Sequence, residues 1–248
     1  MLEDPLVLPA SGIDFDTVAA TFAFVDLVGY SALTEICGDQ EAAQLAARLA
    51  ELAHDALRPG VALVKTIGDA VMLVAGTPAQ MVATICELAD SVAVENGFLA
   101  VRAGIHHGNA VRHGDDFFGH AVNIAARIAA LAGAGQAVIT VEILDSTAEY
   151  GLPTRSLGPT LLRNITTSMT LHMVALTAAH RPRDLVCGIR IDPATAPARL
   201  QHEQRTWWFC SAACADRFAA NPTRYTPPVS ITTSEGPRAW HVTGHATD

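Results

Sequence analysis

Apolar positions along this chain recur with two different periods, and the change from one to the other marks its elements. Residues 21–27, TFAFVDL, form a short apolar run broken by one acid, which predicts a buried strand. After Gly38 the period lengthens. Ala42, Leu45, Ala46, Leu49, Leu52, Ala53, Ala56 and Leu57 recur at helical steps, with Asp39 as the expected N-cap and Pro59-Gly60 as the stop. Residues 61–67 read as a strand, Gly68-Asp69 as a tight turn and residues 70–75 as the returning strand of a hairpin. A second amphipathic helix is expected over 79–94, a strand over 99–107, a helix over 121–131, and strands over 137–141 and 169–176.

Strands thus alternate with helices around a central hairpin. The fold class expected is α/β (α+β): a sandwich with helices on one face of a mostly antiparallel sheet. Residues 1–20 read as an irregular lead-in and 21–177 as the main domain. His180-Arg181-Pro182-Arg183 reads as a polar linker, 184–226 as a small Cys-rich domain, and 227–248 as a flexible tail.

Composition narrows the partners. Half of the 248 residues are hydrophobic, enough for a sizeable core. A formal net charge of -9 repels a phosphate backbone, so nucleic acid is not an expected partner. No apolar run reaches the roughly 20 residues that span a bilayer, so no membrane partner is expected. The opening MLEDPLVLPASG lacks the basic and apolar regions of a signal peptide, and the cytoplasm is the expected compartment. Of five cysteines, Cys187, Cys210 and Cys214 cluster late in the chain. An odd, clustered set in a cytoplasmic chain favours metal binding or buried thiols over disulfides.

Two acids stand out. Asp26 interrupts an apolar strand, and Asp69 sits at the hairpin tip. An acid in a buried strand is costly unless paired or bound to a cation. Two carboxylates about 4 Å apart repel by roughly 4 kcal/mol at an effective dielectric near 20, and a divalent ion reverses that sign. Taken singly, each has an ordinary alternative, Asp26 as a satisfied strand-end acid and Asp69 as a turn residue. Asn123 and Arg127 lie four apart and would share one face of a largely apolar helix. His106 and His107 are adjacent on a strand, point to opposite faces and are expected to be structural. Cys37 and Cys86 read as small buried hydrophobes.

The phrases VDLVGYSALTE, VKTIGDAVM and VRAGIHHGNAVRHGDDFFGHAVNIAARI, in that order, resemble the class III nucleotide cyclases, the adenylyl and guanylyl cyclase family, over about residues 21–176. The resemblance implies a ferredoxin-like cyclase sandwich that converts a purine nucleoside triphosphate to a cyclic nucleotide. It places Asp26 and Asp69 on the positions that bind two Mg²⁺ or Mn²⁺ ions per active site, and it leaves the backbone N–H groups of residues 27–31 to meet phosphate. Lys65 falls on the lysine that contacts adenine N1, and Asp116 on the acid that accepts from the 6-amino group; Asp115 competes, and spacing favours Asp116. Guanylyl-specific relatives usually carry Glu and Cys or similar residues there, so the substrate implied is ATP and the product cyclic AMP. Asn123 would orient the ribose and Arg127 would stabilise the pentavalent phosphorus. Arg163 stands where the family usually has a phosphate-binding lysine, a change that keeps charge but alters geometry. Arg112 falls in a loop too short to align. In the family the metal acids come from one subunit and the remaining groups from the other, so one complete set per chain implies a homodimer with shared active sites.

The C-terminal segment, with CGIRIDPATA, WWFCSAACADRF and NPTRY, resembles the YHS domain, a family that often binds zinc or copper-like ions. Cys187, Cys210 and Cys214 match its cysteines. Ile189 departs from the family's usual Met, which leaves the fourth ligand open, with His202 as a candidate; three buried thiols without metal is the alternative. A module this small gains from a metal staple. Two functions follow: an adenylate cyclase tuned by the Cys module, or a metal-responsive module on a catalytically silent cyclase scaffold.

Overall fold

The structure, a computed structural model, describes residues 16–176, 182–203 and 205–226. The lead-in to residue 15, most of the linker and the tail from residue 227 fall outside the described residues. Chain order is β1 (Asp16–Leu27), α1 (Tyr30–Cys37), α2 (Asp39–Asp55), β2 (Val61–Ile67), β3 (Ala70–Ala75), α3 (Pro78–Val94), β4 (Val101–His113), β5 (Asp116–Phe118) and α4 (His120–Ala129). There follow β6 (Gln136–Thr140), a 3₁₀ turn, α5 (Leu144–Glu149), β7 (Thr154–Thr160), β8 (Met169–Ala175), β9 (Ala198–His202), β10 (Arg205–Phe209), α6 (Ala212–Ala220) and α7 (Pro222–Tyr225).

The main sheet runs β2-β3-β1-β4-β6-β8-β7, with β5 hydrogen-bonded to β4. Its pairs are antiparallel except β4 with β6. Alternation along β1 sorts its side chains. Ala23, Val25 and Leu27 enter the large core under α2 and α3. Ala20 and Phe22 enter a second, thinner core with Ala121 and Ala125 of α4. Helices therefore cover both faces, where the sequence had suggested one. Small residues make this fit: a Cβ on Gly104 of β4 would lie 2.3 Å from the Ala129 amide and 2.4 Å from the Ala125 carbonyl oxygen. Glycine there lets α4 lie directly on the sheet.

Several boundaries moved. β1 begins at Asp16, so residues 16–20 are strand rather than lead-in. Gly38, at φ 98°, takes the N-cap of α2, and Asp39 and Glu41 become first-turn acids that complement the helix dipole. Thr77 and Gln80 close a capping box on α3, with Pro78 behind the cap. α1, β5, α5, β7 and β9 had no clear periodic signal, being short or poor in apolar positions.

The Cys-rich segment does not stand apart. Its β9–β10 hairpin and α6 gather around Phe218, which touches His202, Trp207, Phe209 and Tyr225. Val186, Cys187, Ile189, Phe209, Cys214 and Phe218 join the same buried cluster as Leu27, Leu33, Val92 and Leu99. The Arg190 amide donates to the Phe98 carbonyl at 2.9 Å, and its buried guanidinium to the Val92 carbonyl at 3.2 Å.

Candidate active site

Asp26 lies one residue from the end of β1, opposite Ala70 on one side and Arg102 on the other. The β2–β3 turn brings Asp69 beside it; the Leu27 amide donates to the Asp69 carbonyl at 3.4 Å and fixes the turn against the strand. Burial, and then the negative charge of Asp26, push the Asp69 carboxyl up to about 6. Arg102 donates from Nε to Asp26 Oδ2 at 2.8 Å and again from its terminal nitrogen. The pair thus has one cation already in contact and a residual repulsion between the acids. This donor set of two adjacent carboxylates at a strand end fits a hard divalent ion. Arg102 drew no attention in the sequence, because only the register of β1 against β4 sets it across from Asp26.

The turn after β1 is more committed than expected. The amides of Leu27 and Val28 are both used, the latter donating to Ala100 at 2.8 Å. Among the described residues, the amides that open α1, those of Tyr30 and Ser31 among them, have no intrahelical acceptor and stand available to an anion.

Lys65 and Asp116 come together. Lys65 Nζ donates to both carboxylate oxygens, at 2.7 and 2.6 Å, and lies 5.7 Å from the centre of the Phe118 ring. The bond from Lys65 holds the Asp116 carboxyl below its ordinary range, and the Phe117 amide adds a donor at 2.8 Å. Asp115 is fully exposed. β5 makes the encounter by folding over the sheet face, where Phe117 meets Phe22 edge-on.

Asn123 is exposed and Arg127 half-buried on α4, and no hydrogen bond holds either side chain among the described residues. Arg163 is exposed in the connection between β7 and β8. Arg112 bonds the Gly114 carbonyl at 2.9 Å. His106 bonds Thr140 at 2.8 Å and His107 bonds Thr21 at 2.9 Å, so the two histidines do diverge into separate structural contacts. Cys37 and Cys86 are half-buried thiols, both pushed up by burial.

The structure therefore assembles two groups in one chain: the acids Asp26 and Asp69 with Arg102, and the Lys65–Asp116 pair. Among the described residues no hydrogen bond joins one group to the other, or either to Asn123, Arg127 or Arg163.

Away from these groups, Cys187, Cys210 and Cys214 converge, and the fourth group beside them is Asp184; the four donor atoms lie within 4.8 Å of one another. His202 is elsewhere, its ring against Phe218. Asp184 precedes the cysteine phrase and gave no signal of its own. The hydrogen bond shared with Cys210, then burial, push Cys187 up; the same shared bond lowers Cys210; burial pushes Cys214 up to about 12.

Among the described residues no helix is long and apolar enough to cross a membrane. Comparison with known proteins gives the family. The chain is 38% identical over 158 residues to a pH-sensitive adenylate cyclase of Mycobacterium tuberculosis, covering 62% of this chain and 40% of that one. It is 33% identical over 139 residues to an adenylate cyclase of Glutamicibacter nicotianae, covering 54% and 34%. The chain spans about two fifths or less of the length of these relatives. The adenylyl cyclase CyaB of P. aeruginosa shares the fold, with a TM-score of 0.57 at 20% identity over 68% of this chain and 98% of that one. The family model of the adenylate and guanylate cyclase catalytic domain matches residues 14–175. With the order of its strands and the pairing of Asp26 with Asp69 and Lys65 with Asp116, the chain belongs to the adenylate and guanylate cyclase catalytic domain family.

Proposed function

We propose that this chain is a cytoplasmic adenylate cyclase that forms 3′,5′-cyclic AMP and pyrophosphate from ATP at sites shared across a homodimer. The observation that carries the reading is the carboxylate pair Asp26–Asp69, two acids held side by side at the end of β1, with Arg102 bonded to Asp26, a donor set that suits divalent ions. Two Mg²⁺ or Mn²⁺ ions bound there would supply charge neutralisation of the triphosphate and acidify the ribose 3′-hydroxyl. The protein's own groups divide the rest. Lys65 donates to adenine N1 and Asp116 accepts from the 6-amino group. Before substrate arrives these two satisfy each other, so neither polar group is left bare. Guanine, presenting the opposite edge, would leave both unpaired. The helix-opening amides of α1 and Arg163 meet phosphate oxygens. Asn123 orients the ribose, so that its 3′-oxygen attacks the α-phosphorus in line with the departing pyrophosphate. Arg127 is free to meet the negative charge that grows on the equatorial oxygens.

The homodimer reading is supported by exposed apolar side chains beside each group, Ile67 next to the Gly68-Asp69 turn and Phe118 beside Lys65. Such residues at the rim of a site ask for a partner surface. The second reading, a YHS-like metal-responsive module on a silent scaffold, draws on the clustered cysteines. The presence of all six groups, Asp26, Asp69, Lys65, Asp116, Asn123 and Arg127, favours activity. Incubation with Mn²⁺ and ATP or GTP, with the products separated, decides between them. Cyclic AMP that disappears in Asp26→Asn and Asp69→Asn supports the cyclase; no cyclic nucleotide from the wild type overturns it.

A further inference from the structure

The three cysteines of the C-terminal segment differ in what can reach them. Cys187 and Cys214 are buried, at 1% and 0% exposure, whereas Cys210 is half-buried. Of the three, only Cys210 lines an open cavity of about 250 Å³, which it shares with Asn96, Thr195 and residues 189–192. A small polar solute entering there meets one sulfur before the others. Cys210 Sγ lies 3.4 Å from Cys187 Sγ and 3.7 Å from Cys214 Sγ. The backbone holds the nearer pair in place. Asp184 Oδ1 accepts from the Cys187 amide at 3.3 Å and Oδ2 from the Cys210 amide at 2.8 Å, so one carboxylate spans both cysteines. Bonded sulfurs stand about 2.05 Å apart, which leaves about 1.4 Å of movement between this pair and a disulfide. All three are free thiols in the structure, which is therefore the reduced state.

We propose that Cys210 and Cys187 form a dithiol pair oxidised by hydroperoxides, in which Cys210 takes the oxygen and Cys187 closes the disulfide. In the first step the Cys210 sulfur attacks one oxygen of a hydroperoxide, ROOH. The O–O bond breaks, an S–O bond forms, and ROH leaves with the thiol proton. Cys210 becomes a sulfenic acid, oxidised by two electrons as the peroxide is reduced by two. In the second step the Cys187 sulfur attacks the Cys210 sulfur. The S–O bond breaks, hydroxide leaves with the Cys187 proton as water, and the S–S bond forms. Cys187 is the second thiol because it is the nearer and belongs to the other segment. The bond closes a loop of 22 intervening residues. It ties the β10–α6 turn to the segment that rests on the main domain, where a Cβ on Gly29 would lie 3.9 Å from the Cys187 carbonyl oxygen. Disulfides within reach of solvent are the labile ones, so a dithiol reductant entering at Cys210 restores both thiols. The site stands on sulfur geometry and access, and does not rest on the cyclase reading.

The test uses the full chain, reduced and freed of metal by a chelator, then exposed to one equivalent of hydrogen peroxide. Two of the five free thiols should be lost. Peptide mapping should find Cys187 joined to Cys210, with Cys37, Cys86 and Cys214 still reduced, and dithiothreitol should return both lost thiols. With Cys187→Ser and Cys214→Ser combined, the reaction should stop at the sulfenic acid, which dimedone traps on Cys210. In Cys210→Ser, the buried Cys187 and Cys214 should keep their thiols under the same exposure. Circular dichroism checks the folding of the variants, and the wild-type map needs none of them. Survival of all five thiols, or oxidation of Cys37 or Cys86 ahead of the cluster, overturns the site. A bond between Cys210 and Cys214 overturns Cys187 as the second thiol. Loss of the Cys187 thiol in folded Cys210→Ser overturns the order of attack. No readout depends on cyclic AMP formation, so a silent enzyme leaves each of them interpretable.

Discussion

Asp26 and Asp69 face each other across the end of β1 with Arg102 as their standing counter-ion. Replacing either acid with Asn should reduce cyclic AMP formation by about 10³-fold or more, since the charge stabilisation lost is several kcal/mol. The same change should abolish the rise in melting temperature that Mn²⁺ produces. Base selection gives a second expectation at this scale. Lys65→Glu combined with Asp116→Cys should move preference from ATP toward GTP, read as the ratio of kcat/KM for the two nucleotides. A third concerns His106, whose burial lowers its pKa below 6.5. The unfolded chain then binds a proton more readily than the folded one. The contribution of His106 is therefore intact above about pH 6.5 and is lost as pH falls through that value toward the folded-state pKa. In His106→Gln, the dependence of unfolding free energy on pH below 6.5 should flatten by up to about one proton. Which residues were legible follows from what makes them visible. Asp26, Asp69, Lys65 and Asp116 are chemically conspicuous types in an ordered set of phrases. Arg102 and Asp184 are ordinary residues until a strand register or a loop encounter gives them partners.

At the scale of elements, α4 carries Asn123 and Arg127, and Gly104 sets its height over the sheet. A methyl group on Gly104 meets backbone rather than a movable side-chain end. Gly104→Ala should therefore destabilise the protein by about 1–3 kcal/mol, as overpacking does, and lift α4 away from the strands. Cyclic AMP formation should fall by more than the loss of folded protein, measured by comparing activity per folded molecule. The hairpin of β2 and β3 was legible to the residue because the Gly68-Asp69 turn divides two clean apolar runs. α1 and β5 were not legible: one is eight residues with a single buried side chain, Leu33, and the other is three residues long. Neither length carries a period. The layer arrangement also lay beyond the sequence, because an Ala-rich helix with a polar stripe can pack on either face. The packing of α4 on Ala20, Phe22 and Gly104 decides it.

For the whole molecule, the sequence suggested two domains joined by a linker, and in the structure the C-terminal segment adds buried residues to the largest of the core clusters. Composition and charge cannot reveal that Phe209 and Phe218 join the same buried cluster as residues of β4 and α3, since that depends on where the second segment lands. Under the proposed reading, another copy of this chain completes the active site. The measurement that tests this most directly mixes two inactive variants, Asp26→Asn and Arg127→Ala, unfolded and refolded together in equal amounts. If the metal acids of one chain work with the arginine of its partner, half of the dimers are mixed and each carries one intact site, so about a quarter of wild-type cyclic AMP formation returns. Activity that stays at the level of the separate variants, with mixed dimers confirmed by mass spectrometry, would contradict the shared site.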